Sequence, residues 1–96
     1  MSYSSTEIGR GLAERARARR LDANLTQEGV STRAGVSLGS LKRFERTGAV
    51  SLESLLRIAL ALGAADGFNG LFAPPEQRSL DEILAVPAGR RRGRRK

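Results

Sequence analysis

Four times along this 96-residue chain, a Ser or Thr stands between one apolar residue immediately before it and another four places after it. This arrangement starts helices. The hydroxyl accepts a hydrogen bond from an otherwise unpaired backbone N–H of the first turn, and the two apolar side chains pack on each other and fix the entry angle. Tyr3-Ser4 with Ile8 fits, and Glu7 adds the reciprocal carboxylate of a capping box. Leu25-Thr26 with Val30, Val36-Ser37 with Leu41, and Val50-Ser51 with Leu55 follow. A chain with four such starts is committed to a small all-helical fold.

The stop signals agree. Gly35, Gly48 and Gly63 follow the second, third and fourth segments, where a left-handed C-terminal residue is wanted. The first helix is expected over about residues 5–20, with Ile8, Leu12 and Ala16 facing inward at a spacing of four. The second is expected at about 26–33, the third at about 37–46 and the fourth at about 52–62. Leu52, Leu55, Leu56, Ile58, Ala59 and Leu62 make the fourth read as a buried helix. A short fifth helix over Asp66 to Phe72 would bury Phe68, Leu71 and Phe72, against the opposing influence of Gly67 and Gly70, and Pro74-Pro75 ends it.

Composition removes several classes of function. There is no Cys and no His, so disulfides, thiolate metal sites, the usual general base and the commonest metal ligand are all missing. No metal or other cofactor is expected, nor is enzymatic activity. No apolar run approaches the roughly 20 residues of a membrane span, and a cytoplasmic protein is expected. The net charge of +7 is unevenly spread: +4 over residues 1–65, −3 over 66–89 and +6 over the last seven residues. Most of the positive surplus therefore belongs to the C-terminal end and not to the helical domain.

The decisive spacing is that between the second and third helices. Only Ala34-Gly35-Val36 or so separates them, and two helices joined by so short a glycine-containing turn cross steeply. The spacing suits a helix-turn-helix, in which one helix rests across a DNA backbone while the next enters the major groove; the alternative is an ordinary helical corner in a small bundle.

The run Leu25-Thr26-Gln27-Glu28-Gly29-Val30-Ser31-Thr32-Arg33-Ala34-Gly35-Val36-Ser37, with Leu41, Phe44-Glu45 and Gly48 after it, resembles the phage-repressor or Xre family of helix-turn-helix regulators. Ser51-Leu52-Glu53-Ser54-Leu55-Leu56-Arg57-Ile58-Ala59-Leu60-Ala61-Leu62-Gly63 is similar to that family's fourth helix, and the likeness covers roughly residues 8–72. The resemblance implies a five-helix lambda-repressor-like DNA-binding domain with a short C-terminal extension and a disordered basic tail. The expected organisation is a helix-turn-helix domain at 1–73, a linker and partner or dimer segment at 74–89, and the tail at 90–96. Two residues depart from the family pattern. Ser31 replaces the usual Ala at the contact between the second and third helices, so its hydroxyl needs a backbone carbonyl. Gly29 inside the second helix costs on the order of 1 kcal/mol relative to Ala.

In the third helix, Leu41 and Phe44 belong to the core, with Val36 at its entry. The family likeness puts Ser37, Leu38, Gly39, Lys42 and Arg43 near base edges or flanking phosphates, and Ser40 points outward with them. Arg43 has the planar two-donor fork that reads guanine, Lys42 suits a base or a phosphate, and Leu38 suits a thymine methyl. Gly39 permits close approach and no more. So sparse a reading surface leaves part of the specificity to DNA shape. Gln27, in the first turn of the second helix, matches the family's phosphate-clamping glutamine; the alternative is an exposed side chain of no consequence. Among Arg15, Arg17, Arg19 and Arg20, one or two are expected to reach phosphates, and Glu45 is expected in an ion pair with Arg15 or Arg19.

The tail, Arg90, Arg91, Arg92, Arg94, Arg95 and Lys96, reads either as a solvated arm or as one lying along phosphates. Contact of all six charges with phosphates would steepen the salt dependence by about 5 units. Residues 79–86 are apolar and acidic together, suiting an extra turn on the domain, a dimer contact or a seat for a partner. A homodimer on a double-stranded operator is expected, since one recognition helix spans too few base pairs. The small size, the Leu62-Gly63 to Gly67-Phe68 passage, the Pro74-Pro75 break and the basic end resemble HipB-like antitoxins. That likeness implies a HipA-like kinase toxin as partner and repression of the pair's own operon by a nucleoid-associated protein. The alternatives are a repressor without a toxin and a less specific nucleic-acid binder using the tail.

Overall fold

The computed structural model of the chain describes residues 4–75. Through Asp66 these form one unit of four helices: α1 (Ser5–Asp22), α2 (Gln27–Ala34), α3 (Leu38–Thr47) and α4 (Leu52–Ala61). There is no strand among the described residues. All four expected N-caps form. Ser4 Oγ accepts from the Glu7 N–H at 3.1 Å while Glu7 returns a bond to the Ser4 N–H at 3.0 Å. Thr26, Ser37 and Ser51 accept from the N–H groups of Gly29, Ser40 and Ser54 at 2.9, 3.0 and 3.1 Å. Leu25, Val36, Val50 and Leu55 pack against the core, as the paired apolar positions require. Tyr3 lies outside the described residues, and its expected neighbour Ile8 is half exposed.

The three glycine stops adopt positive φ, at 70°, 85° and 69° for Gly35, Gly48 and Gly63. α1 is stopped by an asparagine and not by a glycine. Asn24 takes φ 58°, and the Leu25 N–H reaches back to the Arg20 carbonyl at 3.1 Å. Asn is the non-glycine residue that best tolerates this conformation.

α1 packs on α3, and α2 packs on both α3 and α4. The buried cluster is Ala13, Val30, Ala34, Leu41, Phe44 and Ile58. Val36 is half-buried at its edge, so α3 faces as expected. α1 does so in part: the expected Leu12 and Ala16 pack against the core, while Ile8 is half exposed. Ala13 and Arg20 are buried and Gly9 lies against Gly48, and of these Gly and Arg are residues that a search for apolar periodicity passes over. Gly9 is required by close approach: a Cβ there would stand 3.0 Å from the Gly48 carbonyl oxygen, and one on Gly48 would stand 2.6 Å from the Gly9 carbonyl carbon. The end of α3 thus lies directly on the backbone of α1.

α4 is also less buried than its composition suggests. Ile58 and Ala59 are enclosed, with Leu55 and Leu62 packed beside them, whereas Leu52, Leu56 and Leu60 stand exposed. The expected fifth helix is a single 3-10 turn, Ala65–Phe68. Beyond it, the described residues 67–75 belong to a separate unit. There Leu71 and Ala73 donate to the Phe68 and Gly70 carbonyls at 3.2 and 3.1 Å. Phe72 is 96% exposed at φ 70°, and Leu71 is exposed as well, so neither is the core residue expected. Too few backbone hydrogen bonds close in this glycine-rich stretch to sustain a helix with an inward face. The expected segment at 79–86 and the tail at 90–96 lie outside the described residues.

Candidate nucleic-acid interface

Three residues, Gly35, Val36 and Ser37, join α2 to α3. The turn is fixed from both directions. The Val36 N–H donates to the Ser31 carbonyl at 3.2 Å, and the Ser31 hydroxyl donates to the Val36 carbonyl at 2.7 Å. Ser31 thereby finds the carbonyl its hydroxyl requires, and its departure from the family pattern becomes a second tie across the turn.

From this turn α3 runs with two distinct sides. At 100° per residue, Leu41 and Phe44 fall on the buried side. Gly39, Lys42, Arg43 and Arg46 fall on the opposite side, at a spacing of three and four, and all four are exposed. Arg46 was not among the expected site residues. The signal was present, since it stands four places after Lys42 and three after Arg43. Ser37 and Ser40 lie at the N-terminal edge of this face, and the Ser37 hydroxyl also donates to Ser40 Oγ at 2.8 Å. Leu38 is half-buried on its flank.

The α2 side of this face is held by a polar clamp. Arg20, on α1, presents its fork to Glu45, on α3: Nε donates to Oε2 at 2.8 Å and Nη2 to Oε1 at 3.1 Å. The two side chains are only 10% and 6% exposed. Arg20 Nη1 donates to the Leu25 carbonyl at 2.9 Å, tying the chain that leads into α2. Gln27 then donates from Nε2 to Glu45 Oε1 at 3.0 Å. One carboxylate therefore gathers α1, α2 and α3. A two-point guanidinium–carboxylate bond fixes orientation as well as distance.

The ion pair expected for Glu45 is real, but its partner is Arg20 and not Arg15 or Arg19. Arg19 instead donates to the carbonyls of Leu62 and Gly63 at 3.0 and 3.1 Å, capping the end of α4. The last turn of α1 explains this division of labour: neighbouring residues point about 100° apart, so Arg20 meets α3 while Arg19 meets α4. Gln27 is half-buried and engaged with Glu45. An amide nitrogen carries two N–H groups, and one is committed here.

A family model described as Helix-turn-helix matches residues 17–65, which span the last part of α1, all of α2, α3 and α4, and the loops between them. The chain belongs to the Xre-like helix-turn-helix family. It is therefore a DNA-binding transcription regulator, and α3 stands at the recognition-helix position of that motif. No curated protein matches the chain. No group of His, Cys, Asp and Glu among the described residues is placed to hold a metal, and no helix among them is long and apolar enough to cross a membrane.

Proposed function

We propose that this helix-turn-helix protein is a sequence-specific transcriptional repressor, reading a double-stranded operator as a homodimer through the exposed face of α3. The observation that carries the reading is the joint placement of Lys42, Arg43 and Arg46 on one exposed side of a helix whose other side is locked into the core. Arg43 takes the guanine-reading role, and Lys42 and Arg46 reach a base or flanking phosphates. Gly39 lets the backbone approach, and Leu38, at the flank, meets a thymine methyl. Ser37 and Ser40, already bonded to each other, contribute at the edge. Gln27 offers its second N–H to a phosphate at the start of α2, where the helix dipole also favours an anion.

Binding of the intact chain and of Arg43→Ala to the DNA upstream of its own gene and to a random duplex, across a salt series, tests this. A preference of the parent for its own DNA by a thousandfold or so is expected, reduced in the variant by roughly 5- to 150-fold. Equal losses on both duplexes make Arg43 a phosphate contact and remove the basis for sequence reading.

The narrower role we propose is that of an antitoxin paired with a HipA-like kinase toxin, repressing the operon that encodes both. Its support is the sequence resemblance to HipB-like proteins, and the α3 face serves equally well without a toxin. Co-expression with the product of the adjacent gene decides between them. A stable complex and relief of toxicity are expected of an antitoxin, and a free repressor gives neither.

A further inference from the structure

α4 carries a second exposed face, unlike that of α3. Leu52, Leu56 and Leu60 recur every four residues and are 68%, 36% and 68% exposed. Scattered exposed leucines are ordinary, but three in one row on one helix form a continuous apolar stripe. Immediately beside it runs a charged row, where Arg57 Nη2 meets Glu53 Oε2 at 2.8 Å on the surface of the same helix. The α2 side of α4 is already occupied by the core.

We propose that this stripe is where a second copy of the chain docks, with the two α4 helices antiparallel about a two-fold axis. The inference rests on the dimer reading above, and it adds which surface makes the dimer. The charges select the occupant. A two-fold axis perpendicular to two antiparallel helices keeps the charged rows of both copies on the same side of the contact. With Leu56 at the axis, Leu52 of each copy faces Leu60 of the other. Glu53 of each then lies about 3 Å along the axis from level with Arg57 of the other, at 1.5 Å rise per residue and within reach of an arginine. The two intrahelical pairs are exchanged for two pairs across the interface. The pair each copy gives up is an exposed one that contributes little where it is. A parallel arrangement puts the two charged rows on opposite sides of the contact, where neither meets an opposite charge, so the row favours the antiparallel one.

The stripe is small. Three leucines and one charged row fall short of the roughly 800 Å² per partner of a standard stable interface, so association of the free chain is weak and depends on concentration.

Sedimentation of the full chain over a concentration series without DNA tests the proposal, using Glu53→Arg and Arg57→Glu singly and mixed. The parent is expected to pass from monomer to dimer as concentration rises. Each single reversal puts four like charges together and weakens self-association by about tenfold or more. An equimolar mixture of the two variants restores a dimer, because one copy then carries only positive and the other only negative charges in the row. Leu56→Glu is expected to remain monomeric with unchanged helical circular dichroism, which separates lost docking from lost folding. A parent that stays monomeric throughout, single reversals that associate like the parent, or a mixture that stays monomeric each overturns the proposal. Because no DNA is present, failure here is distinct from failure of the operator reading. A dimer that shows no DNA preference refutes the latter alone.

Discussion

α3 and α4 are built alike and end up presenting opposite chemistry. Each has ten residues, follows a Ser whose hydroxyl caps the third N–H of the helix, and is followed by a glycine at positive φ. Each buries apolar residues on one side, Leu41 and Phe44 in α3, Ile58 and Ala59 in α4. Their outer sides diverge. α3 shows Gly39, Lys42, Arg43 and Arg46, and α4 shows Leu52, Leu56 and Leu60. The difference teaches that capping and core burial make a helix, while the unburied side records what it meets. A polar, charged side suits a hydrated polyanion, and an apolar side suits another protein surface.

The anchoring differs too, and the largest expected effects are there. Phe44 is fully buried, so Phe44→Ala is expected to cost about 3–5 kcal/mol in chemical denaturation. Glu45→Ala leaves the Arg20 guanidinium buried without its counter-charge and is expected to cost a similar 3–5 kcal/mol or so. α4 is tied only by exposed bonds: Arg19 reaches the carbonyls at its end, and its own charged pair, Glu53 with Arg57, stands in solvent. If Glu45→Ala melts like the parent, the clamp does not hold α1, α2 and α3 together and the contrast loses its energetic basis.

The two terminal glycines sharpen the same contrast. Both need positive φ, and placing a Cβ on such a residue costs roughly 1–2 kcal/mol. Gly63 has open space where the Cβ would go, so Gly63→Ala is expected to cost no more than that conformational penalty. At Gly48 the added atom meets the Gly9 carbonyl carbon at 2.6 Å and the Arg10 nitrogen at 2.7 Å, both backbone atoms that cannot rotate away. Gly48→Ala is therefore expected to destabilise more than Gly63→Ala by at least about another 1 kcal/mol, the scale of overpacking, in parallel thermal melts. Equal losses show that α1 can back away from α3.

What could be read in the sequence follows from this pattern. The caps, the glycine stops and the helix-turn-helix spacing are local: each depends on a side chain meeting its own nearby backbone, and each was legible. The inner side of α1 was legible only in part: Leu12 and Ala16 pack inward as expected, but Gly9 and Arg20 sit there for reasons that lie in α3, at Gly48 and Glu45. The partner of Glu45 was missed on the same ground, although the need for one was evident from an acidic residue on a basic helix. Arg46 was missed despite a visible spacing. In α4, counting leucines overstated burial, because an apolar residue does not declare whether its cover comes from its own chain or from another.

On the α3 side, Arg43→Ala tests the outward chemistry alone. It is expected to weaken binding to the operator by about 1–3 kcal/mol and binding to random duplex by much less. Stability should stay within about 0.5 kcal/mol, since the side chain is exposed and away from the core. A loss of stability equal to the loss of binding assigns Arg43 to the fold and weakens the division of α3 into two sides.

The smallest effect on stability belongs to the α4 counterpart, Leu60→Ser. The side chain is 68% exposed, so the free chain gives up little burial on losing it, and stability is expected to change by no more than about 0.5 kcal/mol. Its consequence should appear only where two copies meet, as weaker self-association at a given concentration. The pairing of these two results is what matters. A residue that leaves the melt unchanged and reduces association is apolar for the sake of a partner, as Arg43 is proposed to be charged for the sake of DNA. A substantial loss of stability in dilute, monomeric protein instead means that Leu60 is covered within its own chain, and the outer side of α4 then belongs to the core.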